Sequence, residues 1–593
     1  MKKRKIIWLL VSCLMALSLV LASCGGEEEE EEVTVPEEEE EVIVPTEEEE
    51  EVVAPPGKEW WDRWGVPEYG GTFTHTGGEK ANWDPHYDGW VELCYETLAC
   101  QNFYDVDHKI LDFKTRFTPL KYMTGRLAES WEVPDNYETY IFHIRQGVHF
   151  HDIPPVNGRE LDAYDIEYNF HRILGIGSGF TEPSMYAARI FLEVESVEAT
   201  DQWTVVFKAK APSLRQFRQL LDNHYYGSIL PKEAIELYGD LNDWKRVIGT
   251  GPYMLVDYVD GASMTSVRNP DYWGYDEHFP ENQLPYIDTI KMLIIPDAST
   301  ARAALRTGKI DYMEMVGWEH MENLLETNPD LQVEQLPWGG AGIWMQHDKK
   351  PWSDVRVRRA IQMSIDLETI AATHYGGYVD PTPPGIIGVP GYSTPYEEWP
   401  QEVKDSYAYN PEGARQLLAE AGYPDGFKCT LAATPFQDID LAQILQFYFA
   451  DIGVDMEINL MEGPVWYPYI IAGKSPMTMQ IGHMYVFPPV EGALVLTPLH
   501  LMAPVHNIND PVYNDLYKGM AETFDEDEQA RLCAEADMYA TANHFITVIL
   551  EDWRYTMFQP WIKNYNGEMT INSTGQIFAR MWIDSALKKS MGY

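Results

Sequence analysis

Apolar and polar positions divide this chain into three stretches with different rhythms. Positions 6–20 are apolar throughout except for Ser12 and Ser18, and Lys2-Lys3-Arg4-Lys5 stands in front of them. That run is short for a membrane span. Positions 25–56 have no period. Glutamate runs at 27–32, 37–41 and 47–51 alternate with short Val/Pro segments, which predicts an extended spacer, because like charges repel and proline blocks helix. From about residue 57 both regular periods appear. The first strand is expected at 70–75. Tyr140, Phe142 and Ile144 alternate with polar residues, as in a half-buried strand. Ile166, Phe170 and Ile173 follow Asp162 at helical spacing, so Asp162 is the expected cap. Further strands are expected at 204–208 and 291–295.

Asp297 is the expected cap of a helix ending near Gly308, and Ser353 that of a helix carrying Val357, Ile361 and Ile365 and stopping near Gly376-Gly377. Asn410-Pro411 opens a helix that Gly422 closes. Leu441, Leu445 and Tyr448 lie on the next helix, and Val454, Met456, Ile458 and Leu460 alternate as a strand. Helix alternating with strand implies an α/β lobe. The body after residue 57 is long enough for two or three packed units.

The basic start, the apolar run and Leu21-Ala22-Ser23-Cys24 have the layout of a secretory signal. They resemble the bacterial lipoprotein signal, in which the cysteine is lipidated. The resemblance implies a leader over 1–23, a lipid on Cys24, an acidic tether over 24–56, and a location outside the cytoplasmic membrane, periplasmic if an outer membrane exists. The formal net charge is −49. The first 56 residues hold four basic residues and 16 glutamates, net −12, which leaves −37 on the body. Acidity on that scale argues against a nucleic-acid partner, since phosphate binding needs clustered Lys and Arg. Cys94, Cys100, Cys429 and Cys533 are the body's cysteines, and four cysteines allow three pairings.

No enzyme signature is present. The chain has no His-Glu-x-x-His, no Gly-x-Ser-x-Gly and no phosphate-loop lysine. Gly175-Ile176-Gly177-Ser178-Gly179 follows a helix rather than a strand and reads as a loop, not a dinucleotide fingerprint. His149 and His151 are too few to specify a metal site, so neither metal nor cofactor is expected. The body is instead rich in Trp, Tyr and Phe, which suit packing and a cleft enclosing a small ligand.

Eight ordered segments resemble the extracellular solute-binding proteins of the peptide/nickel class, which feed ATP-binding-cassette importers. Gly125-Arg126-Leu127-Ala128-Glu129-Ser130-Trp131-Glu132 matches the "LA-x-SW" element, and 140–152 (YIFHIRQGVHFHD) the "F-x-L-R-x-G-v-x-F-H-D" signature. Asp162-Ala163-Tyr164-Asp165-Ile166 stands where "tA-x-DV" is usual. Gly249-Thr250-Gly251-Pro252-Tyr253, Arg268-Asn269-Pro270-Asp271-Tyr272-Trp273 and Gly308-Lys309-Ile310-Asp311 match "GTGPY", "RNPDYW" and "G-x-x-D". The segments 351–361 and 418–427 complete the set. Most of these are expected to be structural, with Arg356, Arg358 and Arg359 capping or pairing on a helix surface.

The resemblance implies an α/β, two-lobe periplasmic-binding-protein fold of the large peptide-binder type. Lobe I would span 57–298, with an inserted subdomain at about 88–222, and lobe II 299–544, with a return to lobe I over 545–593. It implies a monomer that closes on a small solute and docks on a membrane permease. The ligand-binding residues it points to are Trp83, Asp84, His86, Trp344, Gln346, His347, Trp466, His483 and Tyr485. The resemblance also points to the region 480–489, in which relatives that bind peptides carry an aspartate that pairs with the ligand's amine. Here that stretch has no acid, so Asp84 would supply the charge or the ligand lacks an amine. Peptide, oligosaccharide and nickel or metal-chelate ligands stay open.

Overall fold

The computed structural model describes residues 60–593 apart from 80–81, 88–90, 103–117, 135–136, 185–186, 223–225, 390, 482–488, 501 and 569–573. The signal, the tether, Cys24, His483 and Tyr485 lie outside the described residues.

The expected first strand lies at Thr72–Gly77. It pairs in parallel with Thr289–Ile294, with Phe73 opposite Ile290, both buried. These two are central strands of a seven-stranded sheet. Its order is Gln332–Pro337, Trp553–Phe558, Tyr312–Val316, Thr72–Gly77, Thr289–Ile294, Ser263–Arg268, Tyr253–Val259. Phe578, on the helix Thr574–Arg580, meets the Phe73 ring edge-on at 5.0 Å, so the C-terminal segment seals the first strand.

Between the first strand and Tyr253–Val259 the chain builds a separate four-stranded antiparallel sheet. Its order is Ala128–Glu132, Thr139–Ile144, Thr204–Ala209, Val194–Asp201. Tyr140, Phe142 and Ile144 point inward, as their alternation requires. The helix Ala163–Leu174 packs on this sheet. Asp162 caps it in a reciprocal box with Asp165, and Gly175 ends it in the left-handed region at φ 69°.

The matched motifs hold one another. His151 Nε2 donates to the Gly251 carbonyl at 3.0 Å, and its Nδ1 accepts from the Gly249 amide at 3.3 Å. A Cβ on Gly251 would sit 2.6 Å from the carbonyl carbon of Cys94, so this close backbone approach needs glycine. Buried Glu96 accepts from Arg126 Nε at 3.1 Å, Tyr272 OH at 3.0 Å and Trp273 Nε1 at 3.1 Å. Two matched segments thus converge on one carboxylate.

The second sheet has five strands, in the order Val454–Leu460, Phe427–Ala433, Met477–Ile481, Ala341–Met345, Ile546–Val548. Helices flank it on both sides. The expected helix from Ser353 is two helices, Val355–Met363 and Leu367–Thr373, because Asp354 caps the first and Asp366 recaps the chain two residues after Ser364. Arg356 pairs with Asp354 at the surface. Arg358 is instead buried, donating to the carbonyls of Trp352, Asn543 and His544. Cys94, Cys100, Cys429 and Cys533 are all unpaired.

The fold is therefore mixed α/β and two-lobed, and the chain passes between the two large sheets twice. It leaves Gln332–Pro337 through Trp338-Gly339-Gly340 and enters Ala341–Met345. It returns from Ile546–Val548 through 549–552 into Trp553–Phe558. The crossings are bonded together, Trp338 N donating to Asp552 O at 2.8 Å and Ile549 N to Ala341 O at 3.2 Å. Gly339 and Gly340 have φ of 91° and 54°, which a side chain would resist. Sheet membership puts Tyr312–Val316 and Gln332–Pro337 with the first sheet, although the sequence boundary at 299 places them in the second lobe.

Candidate functional site

Strand direction locates the cleft. In the first sheet Thr72–Gly77, Thr289–Ile294 and Tyr312–Val316 run parallel and end on the edge from which Pro337 departs. In the second sheet Phe427–Ala433, Val454–Leu460 and Met477–Ile481 run parallel and end on the edge where Ala341 enters. The C-terminal edges of both parallel sets therefore face each other across the crossings. Such edges are where open α/β sheets take ligands.

On the first sheet's side, the loop after Thr72–Gly77 carries Trp83, Asp84 and His86. Trp83 is buried edge-on against Tyr258 at 4.8 Å, and its amide donates to Asn242 Oδ1. Asp84 accepts from both terminal nitrogens of Arg172, one at 3.1 Å, and from the His86 amide. Burial alone would raise the Asp84 carboxyl, but the Arg172 guanidinium outweighs it and holds the group below the ordinary carboxylate range. Burial and then Arg172 push His86 down to about 4. Its Nδ1 accepts from Arg172 and its Nε2 donates to Ser228 O. Asp84 and His86 are thus already spoken for by the helix Ala163–Leu174.

Trp344 lies inside the second sheet, buried against His506. Gln346 and His347 follow the far end of Ala341–Met345, away from the crossing edge. Gln346 Nε2 donates to Gly473 O and Pro504 O, and His347 Nε2 bonds Phe545 O. Trp466, on Gly463–Ile471, stands by the facing edge. Three groups that the sequence did not single out lie on the two facing strand sets or in the crossing between them. Glu551 sits in the return crossing, where burial, reinforced by Asp380, pushes its carboxyl up to about 7. Glu314, on Tyr312–Val316, is pushed up to about 7 by burial against the help of Tyr312. Neither has a cation at ion-pair distance among the described residues. Thr434 ends Phe427–Ala433 with its hydroxyl buried.

The lobes also touch away from the crossings. The helix Leu214–Asp222 of the inserted sheet presents Arg215 Nε 2.9 Å from Glu491 Oε1, and Gln219 Nε2 donates to the same oxygen at 2.9 Å. Arg218 pairs with Glu526, and Tyr137 stacks on Phe524 at 5.3 Å. Glu491, Phe524 and Glu526 belong to the segment that follows the second sheet's Met477–Ile481.

Residues 123–496 match the family described as bacterial extracellular solute-binding proteins, family 5. Among curated relatives, the heme-binding protein A of Haemophilus influenzae is 29% identical over 59% of this chain and 63% of its own length. The dipeptide-binding protein of Escherichia coli is 28% identical over 62% of this chain and 68% of its own. Two solved structures share the fold. The binding protein DppA of Helicobacter pylori with the peptide STSA has a TM-score of 0.67 at 22% identity, covering 87% of this chain and 99% of that one. The oligopeptide-binding protein AppA of Bacillus subtilis with a nonapeptide has 0.64 at 19%, covering 88% and 100%. By the extent of the family match, this chain belongs to the bacterial extracellular solute-binding proteins of family 5.

Proposed function

We propose that this chain is the lipid-anchored receptor of an ATP-binding-cassette importer, closing two lobes on a peptide-like solute and handing it to a membrane permease. The observation that carries the reading is the pair of bonded crossings with glycines at 339 and 340, set between two facing C-terminal strand edges. A ligand that touches both edges stabilises the closed arrangement by its differential affinity for it. The division we propose is lobe I at 61–338 and 553–593, and lobe II at 341–548. A dipeptide-binding relative and two neighbours solved with peptides of different length support a peptide over a sugar or chelate. Glu551 and Glu314 supply the negative charge that Asp84, held by Arg172, does not. The leader at 1–23 and the lipid on Cys24 place the receptor outside the cytoplasmic membrane.

The test is mass spectrometry of small molecules released on denaturing freshly purified protein, followed by calorimetry against di- to pentapeptides. Recovery of peptides and heats of binding are expected. Release of a sugar or a metal chelate, with no heat from any peptide, would overturn the reading.

A further inference from the structure

Three buried polar atoms at the crossing edge of the second sheet have no hydrogen-bond partner among the described residues: Thr434 Oγ1, Gln480 Nε2 and Trp466 Nε1. Buried donors and acceptors are nearly always paired, so a cluster of orphans marks a place where something else bonds. The sheet brings two of them together. Leu431 pairs with Met477 and Ala432 with Thr478, and just beyond these pairs Gln437 bonds both Thr434 N and Met479 O, which brings Thr434 to the end of the strand that carries Gln480. Ala432 and Trp344 belong to one apolar cluster, and Trp466 packs against it. Its helix Gly463–Ile471 starts beside the end of Phe427–Ala433: Met461 N donates to Ala433 O at 2.9 Å, and a Cβ on Gly463 would lie 3.4 Å from Phe436. The two Gln437 bonds, accepting from Thr434 N at 3.0 Å and donating to Met479 O, rigidify the corner. Thr434 itself is 4% exposed, so its hydroxyl has no recourse to bulk water.

We propose that Thr434, Gln480 and Trp466 form a subsite for one uncharged secondary amide of the ligand. Two N–H donors, from Gln480 and Trp466, meet its carbonyl oxygen, and the Thr434 hydroxyl oxygen accepts its N–H. None of the three groups carries charge, so a buried carboxylate would go uncompensated by them. A sugar hydroxyl would use only part of the pattern. The inference rests on the solute-binding reading and narrows it, by naming a peptide bond as the group recognised.

The experiment uses the mature chain, trialanine, and the trialanine analogue in which the central amide is replaced by an ester, which keeps a carbonyl and loses the N–H. Calorimetry on the unaltered protein should show the ester binding about tenfold more weakly, the effect of one buried hydrogen bond. Thr434→Val should abolish that preference, lowering trialanine affinity about tenfold while leaving the ester nearly unaffected. Gln480→Leu should weaken both compounds alike. Because each variant removes an orphaned polar atom, thermal melting of the ligand-free protein should be unchanged or higher, which separates the loss of binding from misfolding. If the unaltered protein binds trialanine and both variants bind it equally well, the subsite is wrong and the receptor reading survives. If the ester preference persists in Thr434→Val, the assignment of the N–H to Thr434 is wrong. If the unaltered protein binds no peptide at all, both fall together.

Discussion

Replacing Glu491 by glutamine tests whether the contact between the inserted helix and the second lobe favours the closed arrangement. Glu491 Oε1 accepts a hydrogen bond from Gln219 Nε2 at 2.9 Å and stands 2.9 Å from Arg215 Nε as an ion pair, and the side chains of Arg215 and Glu491 are each only 17% exposed. A hydrogen bond to a charged group contributes about 1.5–3 kcal/mol when buried, and an exposed pair less than about 1 kcal/mol. Arg215 keeps Glu193 at 3.1 Å after the change, so the lower end of the buried range applies, about 1.5 kcal/mol. That is roughly a tenfold fall in the closing equilibrium. Where the ligand needs the closed form and the closed form is the minor one, apparent affinity falls by the same factor. The assay is single-molecule energy transfer between dyes at Leu237 on the insert and Phe447 on the second lobe, both exposed, at about 20 and 500 mM salt. The Debye length shortens from roughly 20 to 4 Å over that range. Salt should open the unaltered protein and barely affect Glu491→Gln, which should already be more open at low salt. Identical transfer distributions for the two proteins at low salt would refute the reasoning.

Four other outcomes follow from the geometry. Affinity for an amine-bearing peptide should weaken as pH falls through about 7, because Glu551 and Glu314 take protons there; calorimetry at pH 6 and 8 should show the slope, Glu551→Gln should shrink it, and Glu551→Gln with Glu314→Gln should remove it. His374 Nε2 lies 2.7 Å from Asp438, whose hydrogen bond raises the imidazole pKa. A raised pKa in the folded state stabilises fully below the unfolded value near 6.5 and fades as pH rises through the folded one. His374→Gln should therefore lower the melting temperature more at pH 5.5 than at pH 9. Gly251→Ala drives a methyl into the Cys94 backbone and should cost about 3 kcal/mol or more, seen as a loss of soluble yield or a melting point several degrees lower. Gly340→Val forces a β-branched residue to φ 54°; stopped-flow binding should show altered closure kinetics, with far-ultraviolet circular dichroism unchanged.

What could be read from the chain alone was what short spacing determines. Asp162, Asp297 and Asn410 cap the helices their positions announce, since a cap needs only residues two or three places away. The apolar run through Val357, Ile361 and Ile365 hid the break at Asp366, because helical period continues across a recapped turn. Sheet order was out of reach: Gln332–Pro337 finds its partner in Trp553–Phe558, and nothing local to either strand names the other. The same limit governed the site. Trp466 was singled out and stands at the facing edge, but Gln346 and His347 fall at the opposite end of their strand, because the direction of Ala341–Met345 in the sheet is a tertiary fact. Gln480 opens the stretch that the resemblance pointed to, but Thr434 carries no signal in the sequence; only the sheet makes them neighbours.

The position of Trp553–Phe558 has a consequence for biogenesis. It is the strand to which Gln332–Pro337 hydrogen-bonds, and it follows every strand of the second sheet along the chain. A nascent chain holds all of the second sheet before the first can be zipped shut. The earlier-made half must wait, with an unpaired strand edge open to chaperones and proteases, for residues made after the whole second sheet to arrive.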